Sequence, residues 1–588
     1  MLRTHHCNQL REENQKEHVV LCGWVFHRRD HGGIIFVDLR DHYGITQIVF
    51  DPEIAPQAHK LAERVRSEWV LKVTGFVRSR GKDLTNPNLD TGAIEIVAEK
   101  LEILNQSKTP PFEIGSEVQN ENIRLEYRYL DLRREKMQKN LQLRHKMTKT
   151  IRDFFDQKDF LEIETPILIK GTPEGSREFL VPNRIHHGKF YVLPQSPQQL
   201  KQLLVLSGID KYFQIARCFR DEDLRGDRQP EFTQFEIEMA FPEQDDILKI
   251  MEECFVNLTE KCAPQKKYKK FLKNGKIKKI TWQEAMEKYG SDKPDIRFGL
   301  EFINISKEAK TSGFGIFEKS KHVFALSVPK NLGEFSRKDI EDLTSVAQSH
   351  GAGGLAWIRK GEDSGPVAKN STPEFLSSLF EKTGANDGDI VFFGAGEFHK
   401  SVEPLGQVRL EIGKRIGLQN PDEFAYLWII DFPLFEQKED GSMGACHHPF
   451  TSPKAEDFAL LKTEPLKVRS NAYDLVLNGS ELGGGSVRIH DPKLQHEIFE
   501  ILGMKEKEIQ LKFGHLLKAF EYGVPPHGGI AMGLDRTVML FADEPNIREV
   551  IAFPKNQSGQ DLMLGAPSTM PEKEIEEQNI QILDIDEK

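Results

Sequence analysis

The sequence predicts a multidomain α+β protein, and three observations lead to this fold class. The 588 residues correspond to about four domains of ordinary size. The first hundred residues carry short alternating apolar runs between turn residues, which is typical of a small β-barrel. Residues 217–241 contain two further runs joined by a charged turn around Gly226, a pattern that indicates strand, loop and strand.

Composition narrows the class of protein. A hydrophobic content of 38% with 45 glycines is ordinary for a soluble globular chain, and no apolar run approaches the length of a membrane span. The first residues lack an apolar segment with a cleavage site, so a cytoplasmic protein is expected. Six scattered cysteines without C-x-x-C spacing argue against a disulfide framework and a structural zinc site. The net charge of −11 means that any nucleic-acid contact depends on local basic patches.

Five short strands are predicted in the first domain, and this number fits an OB-fold. They cover residues 19–25, 33–40, 46–50, 70–77 and 93–97. In the second strand, period-two geometry places Ile35, Val37 and Leu39 on one face and Phe36 on the other, beside charged residues. A lone Phe36 would often pack on a neighbouring strand. Its basic and amide neighbours instead favour a surface for single-stranded RNA, formed with Arg28, Arg29, His31 and Gln47.

The sequence of residues 106–140 predicts a linker that leads into a helix. The helix continues through an apolar stripe at spacings of three and four, from Leu143 to Phe155, and ends before a strand that is limited by Pro166. Eight lysines at 266–279 flank an Asn274–Gly275 turn and predict a basic hairpin. A solvated ribbon is the plainer interpretation of that charge, and an RNA contact is the alternative.

Arg220 and Arg536 are the residues that point most directly to chemistry. Arg220 precedes the acidic pair Asp221 and Glu222, while Arg536 closes a glycine-rich segment that leads into a helix. An arginine is permanently charged, binds phosphate at two points and stacks on adenine. The two segments therefore indicate a bound nucleotide and ATP-driven activation of an acyl group.

Three ordered motifs resemble the signatures of class II aminoacyl-tRNA synthetases: TP at 165–166, FRDE at 219–222 and GLDR at 533–536. The chain is most similar to the bacterial-type aspartyl-tRNA synthetases, and the resemblance covers nearly its whole length. The further motifs that carry it are TPEGSREF at 172–179, QQLK at 198–201, RQPEFTQ at 228–234, HHPFTSP at 447–453 and NGSELGGGSVRIH at 478–490.

The resemblance implies a catalytic core built on an antiparallel sheet. It also implies a homodimer whose interface includes the first motif. The implied segments are an OB-fold anticodon-binding domain at 1–105, a hinge at 106–140, the first part of the core at 141–299, an inserted α+β domain at 300–412, the second part of the core at 413–570 and an acidic tail at 571–588. The insertion resembles one found in a tRNA-dependent amidotransferase, and a functional link to such an enzyme is a further implication.

The implied activity is aspartate–tRNA ligation, in which aspartate and ATP give aspartyl-AMP and diphosphate before transfer to the 3′ end of tRNA(Asp). The implied catalytic residues are Arg220 and Arg536. The implied aspartate site is Glu174, Ser196, Gln198, Lys201, Arg220, Glu236, His447 and Arg488. The implied ATP site is Arg220, Asp221, Glu222, Gln229, Phe232, Glu481, Gly533, Leu534, Asp535 and Arg536. The implied anticodon contacts are Arg28, Arg29, His31, Phe36, Gln47 and Glu95.

Asp474 and Glu481 are the expected Mg²⁺ ligands, because hard oxygen ligands hold that ion. Their spacing of seven places them on opposite faces of one straight strand unless Asn478–Gly479 bends it. Arg488 is the expected partner of the substrate's side-chain carboxylate, and a neutral amide would leave its charge without an anion. Glu236 stands where the family commonly has aspartate, which puts its role in orienting the amino group or the lysine in doubt.

The specificity for tRNA stays open between two readings. His31 matches family members that also charge tRNA(Asn), whereas Asp83 stands near a position where those members tend to have glycine. The balance favours the relaxed form, with tRNA(Asn) as a second substrate.

Two other classes of function are alternatives to an aminoacyl-tRNA ligase: an RNA-binding protein with an inactive core, and an amide-forming ligase on the same core. The first class would be expected to lose Arg220, Glu481 or Arg536, and the second would not need the barrel surface.

Overall fold

The structure, a computed structural model, describes residues 1–171, 175–224, 227–362, 364–438 and 440–583. Packing divides the chain into two compact units. The first unit contains Met1–Gln142 and Arg548–Thr569, and the second contains Leu143–Ile547 and Met570–Lys588. Within the described ranges, no helix has the length and apolar character that a membrane crossing requires.

The first unit begins with a closed β-barrel, as predicted. Its strands are β1 (His18–His31), β2 (Ile34–Asp41), β3 (Gly44–Phe50), β4 (Val70–Ser79) and β5 (Ile94–Asn105), with helix α1 (Pro56–Ala62) between β3 and β4. They close in the order β1-β2-β3-β5-β4, and β3 pairs with β5 in parallel. Ile35, Val37 and Leu39 are fully buried in the barrel, which confirms the predicted inner face of β2.

Three helices follow the barrel, namely α2 (Glu121–Glu126), α3 (Arg128–Asp131) and α4 (Glu135–Asp156). Within the first unit, Arg124 donates to the carboxylates of Asp131 and Glu549, so residues from both ends of the sequence share one ion cluster. The predicted apolar stripe of α4 is confirmed, since Met147, Ile151 and Phe155 are fully buried.

The second unit carries a mixed sheet and several small ones. The elements before residue 300 are β6 (Leu161–Glu162), β7 (Leu180–Pro182), β8 (Phe190–Val192), α5 (Gln198–Leu206), β9 (Lys211–Phe219), β10 (Glu231–Ala240), α6 (Gln244–Cys262), β11 (Leu272–Lys273), β12 (Lys276–Thr281) and α7 (Trp282–Tyr289). Strands β11 and β12 form the predicted basic hairpin. Its turn residues Asn274 and Gly275 have φ of 55° and 77°, as a tight hairpin turn requires.

Residues 300–415 form a small α+β layer of their own. Its strands are β13 (Ile303–Asn304), β14 (His322–Val328), β15 (Ala356–Arg359) and β16 (Ile390–Gly396), in the order β13-β14-β16-β15. Its helices are α8 (Ser306–Ala309), α9 (Gly315–Lys319), α10 (Arg337–Ser349), α11 (Pro366–Asn370), α12 (Pro373–Thr383) and α13 (Phe398–Arg415). Apolar side chains from both faces of this sheet are buried against the helices.

The remaining elements are β17 (Tyr426–Ile430), β18 (Phe435–Gln437), β19 (Met443–Ala445), β20 (Ala472–Leu477), β21 (Ser480–Val487), α14 (Pro492–Ile501), α15 (Glu506–Phe520), β22 (His527–Gly533), α16 (Leu534–Phe541) and α17 (Glu572–Glu577). They include four strands of the large sheet, β17, β20, β21 and β22, and a separate hairpin of β18 and β19. In the described part of the chain, the large sheet has nine strands in the order β11-β12-β17-β20-β21-β22-β10-β9-β6. Its central pairings, from β17 to β9, are all antiparallel.

Strand β10 shows how the sequence gives this sheet two different faces. Phe235 and Ile237 are fully buried, and Phe235 packs against Phe255 of helix α6, with ring centroids 6.0 Å apart. Period-two alternation turns Glu236 and Glu238 to the opposite face. The carboxylates therefore point away from the apolar layer.

Candidate active site

The second unit holds a cavity of about 590 Å³ on the polar face of its large sheet. The predicted residues that line it are Ser196, Gln198, Lys201, Arg220, Glu222, Gln229, Phe232, His447, Asp474, Glu481, Arg488, Gly533, Asp535 and Arg536. Asp221, Glu236 and Leu534 do not line it. Leu534 is buried in the core, and Asp221 is exposed. Glu174 lies outside the described residues.

Arg220 follows the last residue of β9, and Phe232 lies near the start of β10. The Arg220 guanidinium lies 5.1 Å from the centre of the Phe232 ring, and its Nε is buried without a hydrogen-bond partner among the described residues. Glu222 accepts hydrogen bonds from Ser176 Oγ at 2.5 Å and from Arg228 at 3.2 Å. A planar, charged surface with polar groups beside it suits an adenine ring and a phosphate.

Arg536 lies on the first turn of α16. Its Nη1 donates to the backbone oxygen of Glu481 and its Nη2 donates to Asp227 at 2.9 Å. The carboxylate of neighbouring Asp535 accepts hydrogen bonds from the Arg144 side chain and from the backbone N–H of Thr233. These bonds fix the start of α16 against β10.

Asp474 and Glu481 lie on the neighbouring strands β20 and β21. The predicted bend is a hairpin turn, in which Asn478 and Gly479 have φ of 52° and 84°, and a bulge shifts the register next to Leu475. Asp474 and Glu481 therefore do not share one straight strand, and both carboxylates line the same cavity. The negative charge of Asp474, with burial, raises the pKa of Glu481, which is the electrostatic setting of a cation site.

His447 donates from Nε2 to Asp474 Oδ1 over 3.1 Å. Desolvation disfavours the imidazolium, but the Asp474 carboxylate outweighs it and raises the pKa of His447 to about 10. His448, which the motif analysis did not assign, also lines the cavity. Desolvation and the nearby charges of Arg488 and Lys201 lower the pKa of His448 to about 3, so its ring is neutral.

The glycines of β21 form part of the cavity floor, and the predicted close backbone packing is confirmed. A methyl group on Gly483 would lie 2.1 Å from the backbone oxygen of Ala531, and one on Gly485 would lie 2.0 Å from that of Gly529. A methyl group on Gly484 would lie 2.1 Å from Oδ1 of Asp474, one of the two expected metal ligands. A side chain at any of these positions would displace a neighbour.

Four charged side chains form a buried cluster at one end of the cavity. Lys201 Nζ lies 3.3 Å from Glu236 Oε2 and 3.4 Å from Glu238 Oε2. Arg488 Nε donates to Glu238 Oε1 at 3.0 Å and Nη2 donates to Oε2 at 3.3 Å. Tyr212 adds a hydroxyl 2.9 Å from Glu236 Oε1. Glu236 therefore contacts the lysine in spite of its extra methylene.

This cluster corrects the expectation that Arg488 carries an isolated charge. Glu238, which the motif analysis missed, already supplies its anion. Burial raises the pKa of Glu238, but Arg488 and Lys201 outweigh that effect and hold it below the usual range. Burial dominates at Glu236 and raises its pKa. Selectivity against a neutral amide cannot therefore rest on an arginine that lacks a counter-ion.

The barrel residues are only partly brought together. Arg29 donates to Asp38 at 2.9 Å and to Gln47 at 3.3 Å, and Gln47 in turn donates to Glu95 at 2.9 Å. Phe36 pairs with Arg29 across β1 and β2. His31 is exposed at the end of β1. Arg28 takes no part in these bonds, since its Nε donates to the backbone oxygen of Ala62 in α1.

Comparisons with known proteins agree with this arrangement. Residues 120–557 match the family described as tRNA synthetases class II (D, K and N), and residues 19–104 match the OB-fold nucleic acid binding domain. The chain is 49% identical over 589 residues to the aspartate–tRNA(Asp/Asn) ligase of Natranaerobius thermophilus, covering 99% of this chain and 100% of that one. It is 50% identical over 591 residues to the aspartate–tRNA ligase of Geobacillus kaustophilus, covering 99% of each.

Solved structures support the same fold. Asparaginyl-tRNA synthetase from Pyrococcus horikoshii, complexed with asparaginyl-adenylate, superposes with a TM-score of 0.59 at 19% identity, covering 94% of this chain and 98% of that one. Aspartyl-tRNA synthetase from Entamoeba histolytica gives a TM-score of 0.57 at 17% identity, covering 93% and 90%. By its family match and its full-length relatives, the chain belongs to the class II tRNA synthetases of the D, K and N group, among the bacterial-type aspartyl-tRNA synthetases.

Proposed function

We propose that the protein is an aspartate–tRNA ligase that activates L-aspartate with ATP and transfers it to the 3′ end of tRNA(Asp). One observation carries this proposal: a single cavity is lined by Arg220 and Arg536 as well as by Lys201 and Arg488. The first pair suits the α-phosphate and the adenine ring of a nucleotide, and the second lies at the buried end where an anionic amino acid would bind. The names of the full-length relatives support the same substrate.

Activation needs no protein nucleophile. An oxygen of the α-carboxylate of aspartate attacks the α-phosphorus of ATP, the O–P bond of a mixed carboxylic–phosphoric anhydride forms, and the bond from the α-phosphorus to the oxygen bridging to the β-phosphate breaks with release of diphosphate. Arg220 is assigned to the α-phosphate, where it would offset the charge that the two anions bring together. Phe232 and Arg536 are assigned to the adenine faces, and Glu222 to its amino group.

The carboxylates of Asp474 and Glu481 fit Mg²⁺, which commonly takes one or two protein carboxylates and completes its shell with phosphates and water. The raised pKa of Glu481 beside Asp474 supports this assignment, because a bound cation would relieve the repulsion. When bound, the ion supplies charge neutralisation between phosphate oxygens.

At the aspartate end, Lys201 and Arg488 are assigned to the side-chain carboxylate, with His448 and His447 on the adjoining wall. Their own acids, Glu236 and Glu238, hold both cations in place. We assign discrimination against asparagine to the geometry of these fixed donors: an amide NH₂ facing them would leave buried N–H groups without acceptors. Ser196 and Gln198 remain assigned to the amino group.

The barrel is assigned to the anticodon, with stacking by Phe36 and hydrogen bonding by Arg29, Gln47 and Glu95. We propose relaxed specificity that includes tRNA(Asn), since His31 is exposed at the end of β1 and one full-length relative is named for both tRNAs. The segment boundaries given above, a homodimer, a cytoplasmic location and a functional link to an amidotransferase belong to the same proposal.

The test is ATP–diphosphate exchange with aspartate or asparagine, followed by attachment of aspartate to purified tRNA(Asp) and tRNA(Asn). We expect exchange with aspartate but not with asparagine, and we expect aspartate to be attached to both tRNAs. The His31→Leu variant should attach aspartate to tRNA(Asp) in preference to tRNA(Asn). No exchange with aspartate would overturn the ligase assignment, and exchange without transfer would leave an amide-forming ligase. Charging of tRNA(Asp) alone would overturn only the relaxed specificity.

A further inference from the structure

Glu222, which lines the cavity, is held by a residue that the assigned site does not include, Ser176. Ser176 Oγ donates to Glu222 Oε1 at 2.5 Å, and Arg228 Nη1 donates to Glu222 Oε2 at 3.2 Å. A carboxylate accepts hydrogen bonds and does not donate them, so the serine hydroxyl is the donor. Each oxygen of Glu222 therefore has a donor of its own, and two points of contact fix the direction of the carboxylate.

The backbone of Ser176 is held in turn by the side chain of Gln195. The Ser176 N–H donates to Gln195 Oε1 and the Ser176 carbonyl oxygen accepts from Gln195 Nε2, both at 3.1 Å. Gln195 is 1% exposed and directly precedes Ser196, which lines the cavity. The amide bonds the serine backbone at two points, as a neighbouring strand would, and so fixes the place from which the hydroxyl reaches Glu222.

The residues that follow Ser176 are bonded to the residue that precedes Glu222. The backbone N–H of Asp221 donates to the backbone oxygen of Arg177 at 3.1 Å, and the two residues form an antiparallel bridge. On the side of Gln195, the backbone N–H of Leu193 donates to the backbone oxygen of Phe179 at 3.1 Å. Backbone bonds on both sides therefore set the distance between Ser176 and Glu222.

The held carboxylate keeps capacity for a base. Each carboxylate oxygen has about two lone-pair sites, and Ser176 and Arg228 each use one of them. Adenine presents an amino group at C6, which is a donor, whereas guanine presents an oxygen there, which is an acceptor. A carboxylate fixed in direction can therefore accept from adenine and repels guanine. Without the serine hydroxyl, Arg228 would be the remaining donor among the described residues, and the carboxylate could turn towards it.

We propose that Ser176 is a positioning residue for adenine recognition, which orients Glu222 towards the amino group at C6 of the base. The assignment rests on the ATP-dependent activation proposed above and deepens the role given there to Glu222. Ser176 does not line the cavity, so its hydroxyl acts through the carboxylate, and Gln195 holds the serine in place. The preference for adenine over a purine that lacks this amino group then depends on a residue behind the cavity wall.

The experiment is calorimetric titration of the full chain and its variants, in magnesium buffer, with ATP and with purine riboside triphosphate, which lacks the amino group at C6. Ser176→Ala should weaken ATP binding about 3- to 10-fold, the value of one hydrogen bond, and change binding of the analogue by less than about twofold. Ser176→Thr keeps the hydroxyl and should bind ATP nearly as the unaltered chain does. Ser345→Ala, at an exposed serine on α10, is the matched control and should bind both nucleotides normally.

Equal losses for ATP and the analogue, or no loss for ATP, would overturn the assignment, because the serine would then support the fold in general or have no part in binding. A threonine variant as weak as the alanine variant would also overturn it, since the hydroxyl would not be the cause. The titrations contain no aspartate or tRNA, so their outcome is separate from that of the exchange assay. A loss confined to ATP, in a chain without aspartate-dependent exchange, would support the role of Ser176 while the ligase assignment failed.

Discussion

Glu238 and Arg488 form a two-point ion pair beneath the cavity, with Nε–Oε1 at 3.0 Å and Nη2–Oε2 at 3.3 Å. The two residues are 250 positions apart in the sequence. Both are almost completely buried, so neither can exchange its partner for water. The pair fixes the arginine before any substrate arrives.

Replacing Glu238 with glutamine should destabilise the fold by about 3–5 kcal/mol, because Arg488 would keep a buried charge without its carboxylate. Aspartate should stabilise this variant more than it stabilises the unaltered chain, since the substrate carboxylate would supply the missing anion. Thermal unfolding with and without aspartate measures both effects. Glu287→Gln, on the exposed face of α7, is the control and should unfold normally. An unchanged melting temperature for Glu238→Gln would contradict the role given to the pair.

Replacing Gly484 with alanine should lower aspartate-dependent exchange at least about tenfold, because displacement of a reacting group by a fraction of an ångström is costly. The added methyl group would meet Asp474 Oδ1, so the magnesium concentration needed for half-maximal exchange should rise. Gly354→Ala is the matched control, since nothing lies within 4 Å of its Cβ position. If the exchange rate and the magnesium requirement stayed normal, Asp474 would not be a metal ligand.

Acid should destabilise the chain in part through His448. Its pKa falls from an unfolded value of 6.5 to about 3 in the fold, so between these pH values the unfolded state binds the extra proton. Stability from this residue is therefore present above pH 6.5 and declines as the pH falls towards 3. The melting temperature of His448→Gln should drop less than that of the unaltered chain on acidification from neutral pH. Parallel drops in both would show that the ring is protonated in the folded state, and His496→Gln, on the surface of α14, controls for an ordinary histidine.

Sequence patterns predicted the parts of the molecule that depend on local rules. Period-two alternation predicted the inner face of β2, and Asn274–Gly275 predicted a hairpin turn. Strand alternation also explains why Arg29 reaches Gln47 while Arg28 turns to α1. That separation could have been read from the sequence, because adjacent residues in a strand face opposite ways.

Partners across the sheet could not be predicted in this way. The alternation of β10 places Glu238 beside Glu236 on the polar face, but only the pairing of β10, β22 and β21 brings it to Arg488. The same limit applies to Asp227, which meets Arg536 from a segment more than three hundred residues earlier. Arg409 gave no signal either, since a charged residue in an amphipathic helix is usually on the solvated face.

The last prediction concerns Arg409, whose guanidinium donates hydrogen bonds to four backbone oxygens of the loop at 295–300. Lysine keeps the charge but offers a single nitrogen, so at least one buried carbonyl would lose its donor at a cost of about 1–3 kcal/mol. Arg409→Lys should therefore unfold at lower urea concentration. Arg415→Lys on the same helix, whose partners Glu411 and Asp339 are partly exposed, should change stability by less than about 1 kcal/mol.

The same variant separates two roles of the arginine. If Arg409 serves only the fold, Arg409→Lys should bind ATP and AMP in the normal ratio below its unfolding transition. If it also positions residues 290–300, which follow α7 and contribute Asp292 to the cavity wall, the affinity for ATP should fall while that for AMP is kept. We expect the second result, because the loop contacts the hairpin of Asp474 and Glu481 through Asp295 and Gly479. A normal ratio would mean that the hairpin alone holds the loop in place.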